Sequence, residues 1–225
     1  MKYFGKVFTI AKKDLLSEVR ARKLTPAMMV FSLIVIIIFN FVFEPGLQRV
    51  ESLGPGILWV TFSFAGMMGL ARSFSSEQEQ SALRGLMLAP VDRSAIYLGK
   101  LISNLIFLFG IEFISLLVFS VFFNIDIFRF LPGLGAVLGI ATLGFVAIGT
   151  LYSAMVLNIR LREVFLPVLL FPVMIPVLIA AVQLTAHVLE GNRLSDAGKW
   201  LGLLAAYDVI FLTVGLMTFE FVIGE

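Results

Sequence analysis

The strongest constraint on this chain is a series of six long apolar segments. They cover residues 26–43, 55–74, 98–123, 131–157, 164–187 and 200–222. Each is close to or above the roughly 20 residues that a helix needs to cross the hydrocarbon core of a bilayer. Only helices and closed barrels can span lipid, because every backbone polar group there needs an internal partner. The apolar runs are continuous rather than alternating, which favours helices over barrel strands.

The composition agrees with lipid as the solvent. Hydrophobic residues make up 60% of the 225 residues, and charged residues only 14%. A soluble domain carries about 25% charged residues, since it needs a polar exterior. The sequence therefore predicts an all-α membrane protein with six transmembrane helices in one domain over residues 1–225.

The first 25 residues differ from the rest because they are polar and basic. Apolar residues recur there at helical spacing, and charged residues fill the other face. This pattern predicts an amphipathic helix lying in the headgroup region before the first span. The alternative is the basic start of a signal peptide, but no small-residue cleavage site precedes Glu44. The apolar stripe consists of Phe4, Val7, Phe8, Ala11, Leu15 and Val19.

The distribution of Lys and Arg predicts the topology. One side of the proposed membrane carries 13 of the 17 basic residues, with seven before the first span, four around the loop at 75–97 and two near residue 160. Because cytoplasmic loops carry an excess of Lys and Arg, this side is predicted to be cytoplasmic. Both termini are then cytoplasmic, as an even number of spans requires. The four residues around the long loop are Arg72, Arg84, Arg93 and Lys100.

Several classes of function are disfavoured by what the sequence lacks. It has no cysteine and a single histidine, His187, which excludes thiolate sites and zinc sites built from several histidines. No H-E-x-x-H motif, Ser–base pair or phosphate-binding loop is present, so neither an intramembrane protease nor an ATPase is indicated. The basic residues lie beside apolar segments, which favours membrane topology over binding to nucleic acid.

The loop over residues 75–97 is the most informative polar segment. Leu83, Leu86 and Met87 form an apolar stripe that Pro90 ends, and Asp92 is placed to cap the next helix. A short amphipathic helix here has two interpretations. It lies on the bilayer surface, or it docks into a groove of a cytoplasmic partner.

The run E-Q-E-Q-S-A-L-R-G-L-M-L-A-P in this loop resembles the coupling-helix segment of type-2 ABC transporter permeases. Glu77, Glu79, Leu86 and Pro90 match that pattern. The resemblance implies that Glu77, Glu79, Leu83, Leu86, Met87 and Pro90 form a dock for a separate cytoplasmic ATP-binding subunit. Three positions depart from the pattern, where Gly, Thr and an acid are usual: Ser81, Ala82 and Arg84.

Nearly the whole chain resembles the haem exporter B family of cytochrome c maturation. The matching segments are P-G-I-L-W-V at 55–60, A-R-S-F at 71–74, L-P-V-L-L-F-P-V-M-I-P-V-L at 166–178, Asp208, and F-E-F-V at 219–222. The resemblance implies a non-catalytic permease subunit in the bacterial inner membrane. It would couple ATP hydrolysis in another chain to haem export, or to release of a haem-loaded chaperone. The alternatives are an exporter permease for a drug, lipid or polysaccharide, and a purely structural assembly subunit.

The same resemblance implies the partners. They are the ATP-binding subunit, a second copy of this chain, a haem-handling membrane subunit, a haem chaperone and membrane lipid. No metal site or bound cofactor is expected in the chain itself. Haem is expected only as a handled ligand, and ATP only through the partner.

Two acids lie deep within predicted spans, Glu112 and Asp208. Charges at such depth cost on the order of 2.5–3.5 kcal/mol on insertion scales, so they are candidates for function. We expect no basic partner for them inside a span. We therefore expect both acids to hold helices together, with proton transfer as the alternative.

Three further features carry open alternatives. Pro167, Pro172 and Pro176 in the fifth span predict either a static kink or a hinge that moves during transport. His187 is either a haem ligand or an ordinary polar anchor at the outer end of that span. Gly135 and Gly139 form a GxxxG motif, which permits close approach of a second helix.

Overall fold

The computed structural model describes residues 3–21, 25–42, 50–74, 91–157, 159 and 161–224. Over these residues it is helical throughout, with short turns and no strand. The α-helices are α1 (Tyr3–Ala21), α2 (Thr25–Val42), α3 (Val50–Arg72), α4 (Arg93–Phe123), α5 (Leu131–Met155), α6 (Arg162–Leu189) and α7 (Gly198–Gly224). Short 3-10 helices at Ile127–Phe130 and Leu194–Ala197 connect α4 to α5 and α6 to α7.

Five of these helices are long and apolar enough to cross a membrane. They correspond to the last five predicted spans and cover Ser52–Arg72, Arg93–Phe123, Ile127–Met155, Val164–Leu189 and Leu194–Ile223. The first predicted span is α2, whose apolar stretch Pro26–Val42 is shorter than the other five. The all-helical membrane class is therefore confirmed for the described residues, and the count of six spans remains a prediction.

Two helices begin earlier than the sequence predicts. The start of α4 is Arg93 rather than residue 98, and the helix runs for 31 residues. Lys100, whose charge was counted with those around the long loop, consequently lies in the second turn of a helix and is buried, so the expectation of no basic residue inside a span is wrong there. In the same way α3 begins at Val50, so that Pro55 is within the helix rather than at its start.

The central helix of the bundle is α5, which packs against α3, α4, α6 and α7. From Ala141 to Leu151 almost every residue is buried, and much of this stretch is Ala, Gly and Thr. Small side chains let neighbouring helices approach closely, which membrane bundles need because lipid supplies no hydrophobic drive between helices. From α2 to α7, successive helices run in opposite directions; for example, Met28 near the start of α2 lies beside Gly69 near the end of α3. The end of the bundle where α3 stops and α4 starts is called the loop end below.

The predicted amphipathic helix is present as α1, but its apolar residues divide between two faces. Val7, Ile10 and Ala11 are buried against the first turns of α4. The approach is close at Gly99, where an added Cβ atom would lie 2.7 Å from Ile10 Cγ2. Phe4, Phe8 and Val19 are exposed instead. Docking on the bundle thus uses only part of the stripe, and contact of the exposed part with headgroups remains a prediction.

Candidate functional site at the loop end

The predicted docking residues Glu77, Glu79, Leu83, Leu86, Met87 and Pro90 fall outside the described residues. The structure does describe the two points where that loop joins the bundle. The chain leaves α3 through Ser73 and Phe74, and re-enters through Val91 and Asp92 before α4. Asp92 occupies the N-cap position of α4, but its side chain makes no capping hydrogen bond. The residues around these points form the candidate site.

A buried ion pair between Lys100 and Asp14 connects the start of α4 to α1. Lys100 Nζ lies 3.1 Å from Asp14 Oδ2, and the side chains are 1% and 14% exposed respectively. Lys100 Nζ also donates a hydrogen bond of 3.0 Å to the carbonyl oxygen of Ser73. The same ammonium lies 4.4 Å from the ring centroid of Phe74, a cation–π distance. Removing one partner of such a buried pair costs about 3–5 kcal/mol, because a charge is left without compensation.

An aromatic cluster extends this connection to α7 and α5. Phe74 and Phe219 have ring centroids 6.2 Å apart, and Phe219 lies 5.3 Å from Tyr97. The Tyr97 hydroxyl donates a hydrogen bond of 2.9 Å to the carbonyl oxygen of Ala147 in α5. The Tyr97 hydroxyl also packs against Gly215, where an added Cβ atom would collide with it. The loop-end cluster, defined as Asp14, Phe74, Tyr97, Lys100 and Phe219, therefore joins α1, α3, α4, α5 and α7.

Halfway along the bundle lie the two intramembrane acids, which we call the mid-bundle acids. Glu112 is 1% exposed, and its Oε1 accepts a hydrogen bond of 2.7 Å from Thr142 Oγ1 in α5. Asp208 is 7% exposed, and its Oδ1 lies against the α-carbon of Gly144, also in α5. Among buried side-chain oxygens of the described residues, Glu112 Oε2 and Asp208 Oδ1 have no hydrogen-bond partner.

The two acids lie at nearly the same depth but do not form one site. Thr142 and Gly144 are two residues apart on α5, which is about 3 Å along the axis. At 100° per residue they point to different faces, so Glu112 bridges α4 to α5 and Asp208 bridges α7 to α5. Next to Asp208, the Tyr207 hydroxyl lies 3.3 Å from the carbonyl oxygen of Val173 and connects α7 to α6. This geometry fits acids that hold helices together, and their role remains a prediction.

The remaining predicted residues are dispersed. Pro167, Pro172 and Pro176 lie in α6, which continues unbroken through all three, so a hinge there remains a prediction. His187 Nε2 lies 3.0 Å from the carbonyl oxygen of Arg193, which suits a polar anchor at the end opposite the loop. The described residues contain no group of three or more His, Asp or Glu side chains that could hold a metal ion. Gly135 and Gly139 have no atoms of another element close to them.

A shallow crevice lies between α3, α5 and α6. It encloses no space that a water-sized molecule could occupy, whereas pockets for small molecules usually have about 300–1,000 Å³. It is therefore not a ligand pocket. Its lining is Ser63, Met67, Phe145, Leu170, Phe171, Met174 and Leu178.

Comparison with known proteins decides the family. The family model described as CcmB protein matches residues 5–223. The chain belongs to the CcmB family. A CcmB relative from Pseudomonas aeruginosa, Heme exporter protein B, is 26% identical over 181 residues, which is 79% of each chain. The protein of the same name from Bradyrhizobium diazoefficiens is 24% identical over 190 residues, or 83% of each chain. That from Escherichia coli K12 is 32% identical over 74 residues, about a third of each chain.

Two of the short segments that carried the resemblance to this family meet in space. Phe74 closes the A-R-S-F segment, and Phe219 opens the F-E-F-V segment. Sequence reasoning missed the third member of this contact, Lys100, because it counted that charge only as a sign of topology. A sign was present, since Asp14 follows Ile10 and Ala11 at helical spacing on the buried face of α1. An acid within an apolar stripe indicates a buried basic partner.

Proposed function

We propose that this chain is the transmembrane permease subunit of an ABC-type complex for c-type cytochrome biogenesis. ATP hydrolysis in a separate subunit is coupled through it to haem export, or to release of a haem-loaded chaperone. The observation that carries the proposal is the CcmB family match over residues 5–223, together with the relatives' name, Heme exporter protein B. The long apolar helices suit such a membrane subunit.

The arrangement at the loop end supports a coupling role for residues 75–90. In this proposal the partner ATPase docks on Glu77, Glu79, Leu83, Leu86, Met87 and Pro90. Force applied to that loop reaches the bundle at Phe74 on one side and at Val91 on the other. Phe74 contacts both Lys100 and Phe219, so it is in position to pass a displacement to α4 and α7.

The direct test is complementation in a bacterium that lacks the gene for this chain. Expression of the chain should restore haem-stained c-type cytochromes, and purification in mild detergent should recover an ATP-binding subunit that mass spectrometry identifies. A control strain with an inactive ATPase site in that partner should have the membrane subunit at normal level but no cytochrome c. Normal cytochrome c in the deletion strain would contradict the proposed function. Recovery of a drug or lipid transport phenotype instead would favour the other exporter class.

The proposal also places both termini in the cytoplasm. A reporter that is active only in the cytoplasm should be active when fused after Glu225, because 13 of the 17 basic residues are predicted to lie on the side of the termini. A matched fusion in the segment 190–197, between α6 and α7, should be inactive. Activity of a periplasmic reporter at Glu225 would refute the arrangement with six spans.

A further inference from the structure

We propose that Lys100 is a positioning residue that fixes the root of the 75–90 loop to α1. The root consists of Ser73 and Phe74. Because Lys100 also binds Asp14, α1 and the root move as one unit when a partner displaces the loop. We call the link between the root and α1 the attachment, and the passing of a partner's displacement through it the relay. The relay rests on the proposed function, since it needs a partner on that loop. The attachment is a property of the chain alone.

The contacts of Lys100 come from two directions and meet at one nitrogen. Asp14 lies on α1, which packs along α4, whereas Ser73 and Phe74 follow the end of α3. Lys100 Nζ bonds to Asp14 Oδ2 at 3.1 Å and to the Ser73 carbonyl oxygen at 3.0 Å. An ammonium has three donors and suits a junction of this kind, because one group can serve several acceptors.

The contact with Ser73 gives a hydrogen-bond partner to a carbonyl group at the end of α3. The last carbonyl groups of a helix have no partner within the helix, and they carry the negative end of its dipole. Ser73 follows the last residue of α3, Arg72, and its carbonyl is one of these groups. Lys100 therefore caps α3 at the point where the loop begins. The buried ring of Phe74 covers the same ammonium.

Neutralising Asp14 would not by itself require Lys100. Asp14 Oδ1 already has Lys13 Nζ at 3.1 Å, and the Lys13 side chain is 47% exposed. Lys13 therefore balances the charge at the surface, while Lys100 adds the link to α3. This difference gives a matched pair of variants, because Lys13 and Lys100 bind the same carboxylate and Lys100 also bonds to the Ser73 carbonyl oxygen at the loop root.

The first measurement uses the chain alone in lipid nanodiscs. Because the chain has no cysteine, spin labels can be placed at Lys12→Cys on α1 and at Phe221→Cys on α7, both exposed positions. The parent should give one narrow distribution of distances between the labels. Lys100→Met, which keeps the length and apolar stem, should broaden it at least twofold, and Lys13→Met should leave it unchanged. Asp14→Asn, which keeps an acceptor, should give an intermediate width.

The second measurement adds the partner ATPase and a non-hydrolysable ATP analogue. In the parent and in Lys13→Met, nucleotide should shift the distance between the labels. In Lys100→Met the shift should be lost although the ATPase is still retained, and c-type cytochromes in cells should fall tenfold or more. Lys100→Arg, which keeps the charge and the hydrogen-bond donors, should restore part of the nucleotide-dependent shift and part of the c-type cytochrome level. A purely structural role of Lys100 would lower the amount of chain in the membrane. It would not give a variant that retains the ATPase but loses the nucleotide-dependent change in label distance.

The outcomes separate the two proposals. If Lys100→Met gives the parent distribution in the chain alone, the attachment is refuted. If the distribution broadens but nucleotide shifts it as in the parent, the relay is refuted. If no ATPase binds the parent chain, the proposed function and the relay both fail, and the nanodisc result still decides the attachment. If Lys100→Met does not reach the membrane, Asp14→Asn decides, and a parent-like width for that variant refutes the attachment.

Discussion

The loop-end cluster and the mid-bundle acids both hold charged residue types out of water, but they do so in different ways. At the loop end, Lys100 has an ionic partner, a carbonyl acceptor and an aromatic ring. In the middle, Glu112 has one hydrogen bond from Thr142, and Asp208 Oδ1 faces the α-carbon of Gly144. The loop end joins five helices, whereas each acid bridges one pair. The comparison supports the proposal that polar groups at the loop end transmit position, and the prediction that those in the middle set how closely helices pack.

The largest expected effect is on the loop itself. Leu86→Asp would place a charge without a partner in the apolar groove that is proposed to bind the coupling helix. Truncating a central anchor commonly costs 2 kcal/mol or more, about a thirtyfold loss of affinity, and the charge should cost more. A pull-down of the ATPase measures this, with Leu86→Met as control. If Leu86→Asp reaches normal levels and retains the ATPase quantitatively, the docking assignment is wrong. The loop end would then have no docked ATPase from which to transmit a movement.

The next effect concerns helix packing in the middle. Gly144→Ala would bring a Cβ atom into collision with Asp208 Oδ1 and to 3.0 Å from the Tyr207 ring. Such overpacking typically costs about 1–3 kcal/mol. The thermal unfolding temperature of the purified chain should fall, while Gly139→Ala should leave it unchanged, because nothing lies within 4 Å of that position. Equal stability of the two variants would show that close packing at Asp208 is not important.

The smallest expected effect distinguishes packing from proton transfer. Asp208→Asn keeps the shape and the hydrogen-bonding capacity of the side chain but removes its ability to ionise. Because Asp208 is expected to act through its contact with Gly144, cytochrome c maturation should stay within about twofold of the parent, well under 1 kcal/mol. Quantitative haem staining, normalised to the amount of chain in the membrane, measures it. Loss of maturation at normal protein level would overturn the packing assignment and make the mid-bundle acids functional groups.

The helices could be predicted from the sequence because apolar runs of bilayer length have few alternatives. Their ends could not, and Lys100 shows why. A count of charges groups Lys100 with the long loop, and an apolar run marks where a membrane span begins but not where its helix begins. The sequence therefore predicted neither the first turn of α4 nor the buried ion pair. The partner, Asp14, is 86 residues away along the chain. Nothing local at Lys100 identifies it.

The glycines show a second limit. The GxxxG motif permits close helix contact at Gly135 and Gly139, but among the described residues of this chain no atom lies within 4 Å of a Cβ added there, whereas Gly144 and Gly215 receive Asp208 and Tyr97. The motif describes one helix only, and whether a small residue faces a neighbour depends on the rotation of both helices. The division of α1 into a docked and an exposed face has the same origin. Periodicity identifies an apolar stripe but not the surface that covers it.

The contact between Phe74 and Phe219 has a consequence for biosynthesis. The ribosome makes the chain from its N-terminus, so Phe219 is added about 145 residues after Phe74. At roughly 5–20 residues per second this takes on the order of ten seconds. For most of that time α3 and α4 are already made, but Tyr97 and Phe74 lack the ring of Phe219. The loop end is therefore completed last, and a chain truncated before α7 lacks one ring of the loop-end cluster.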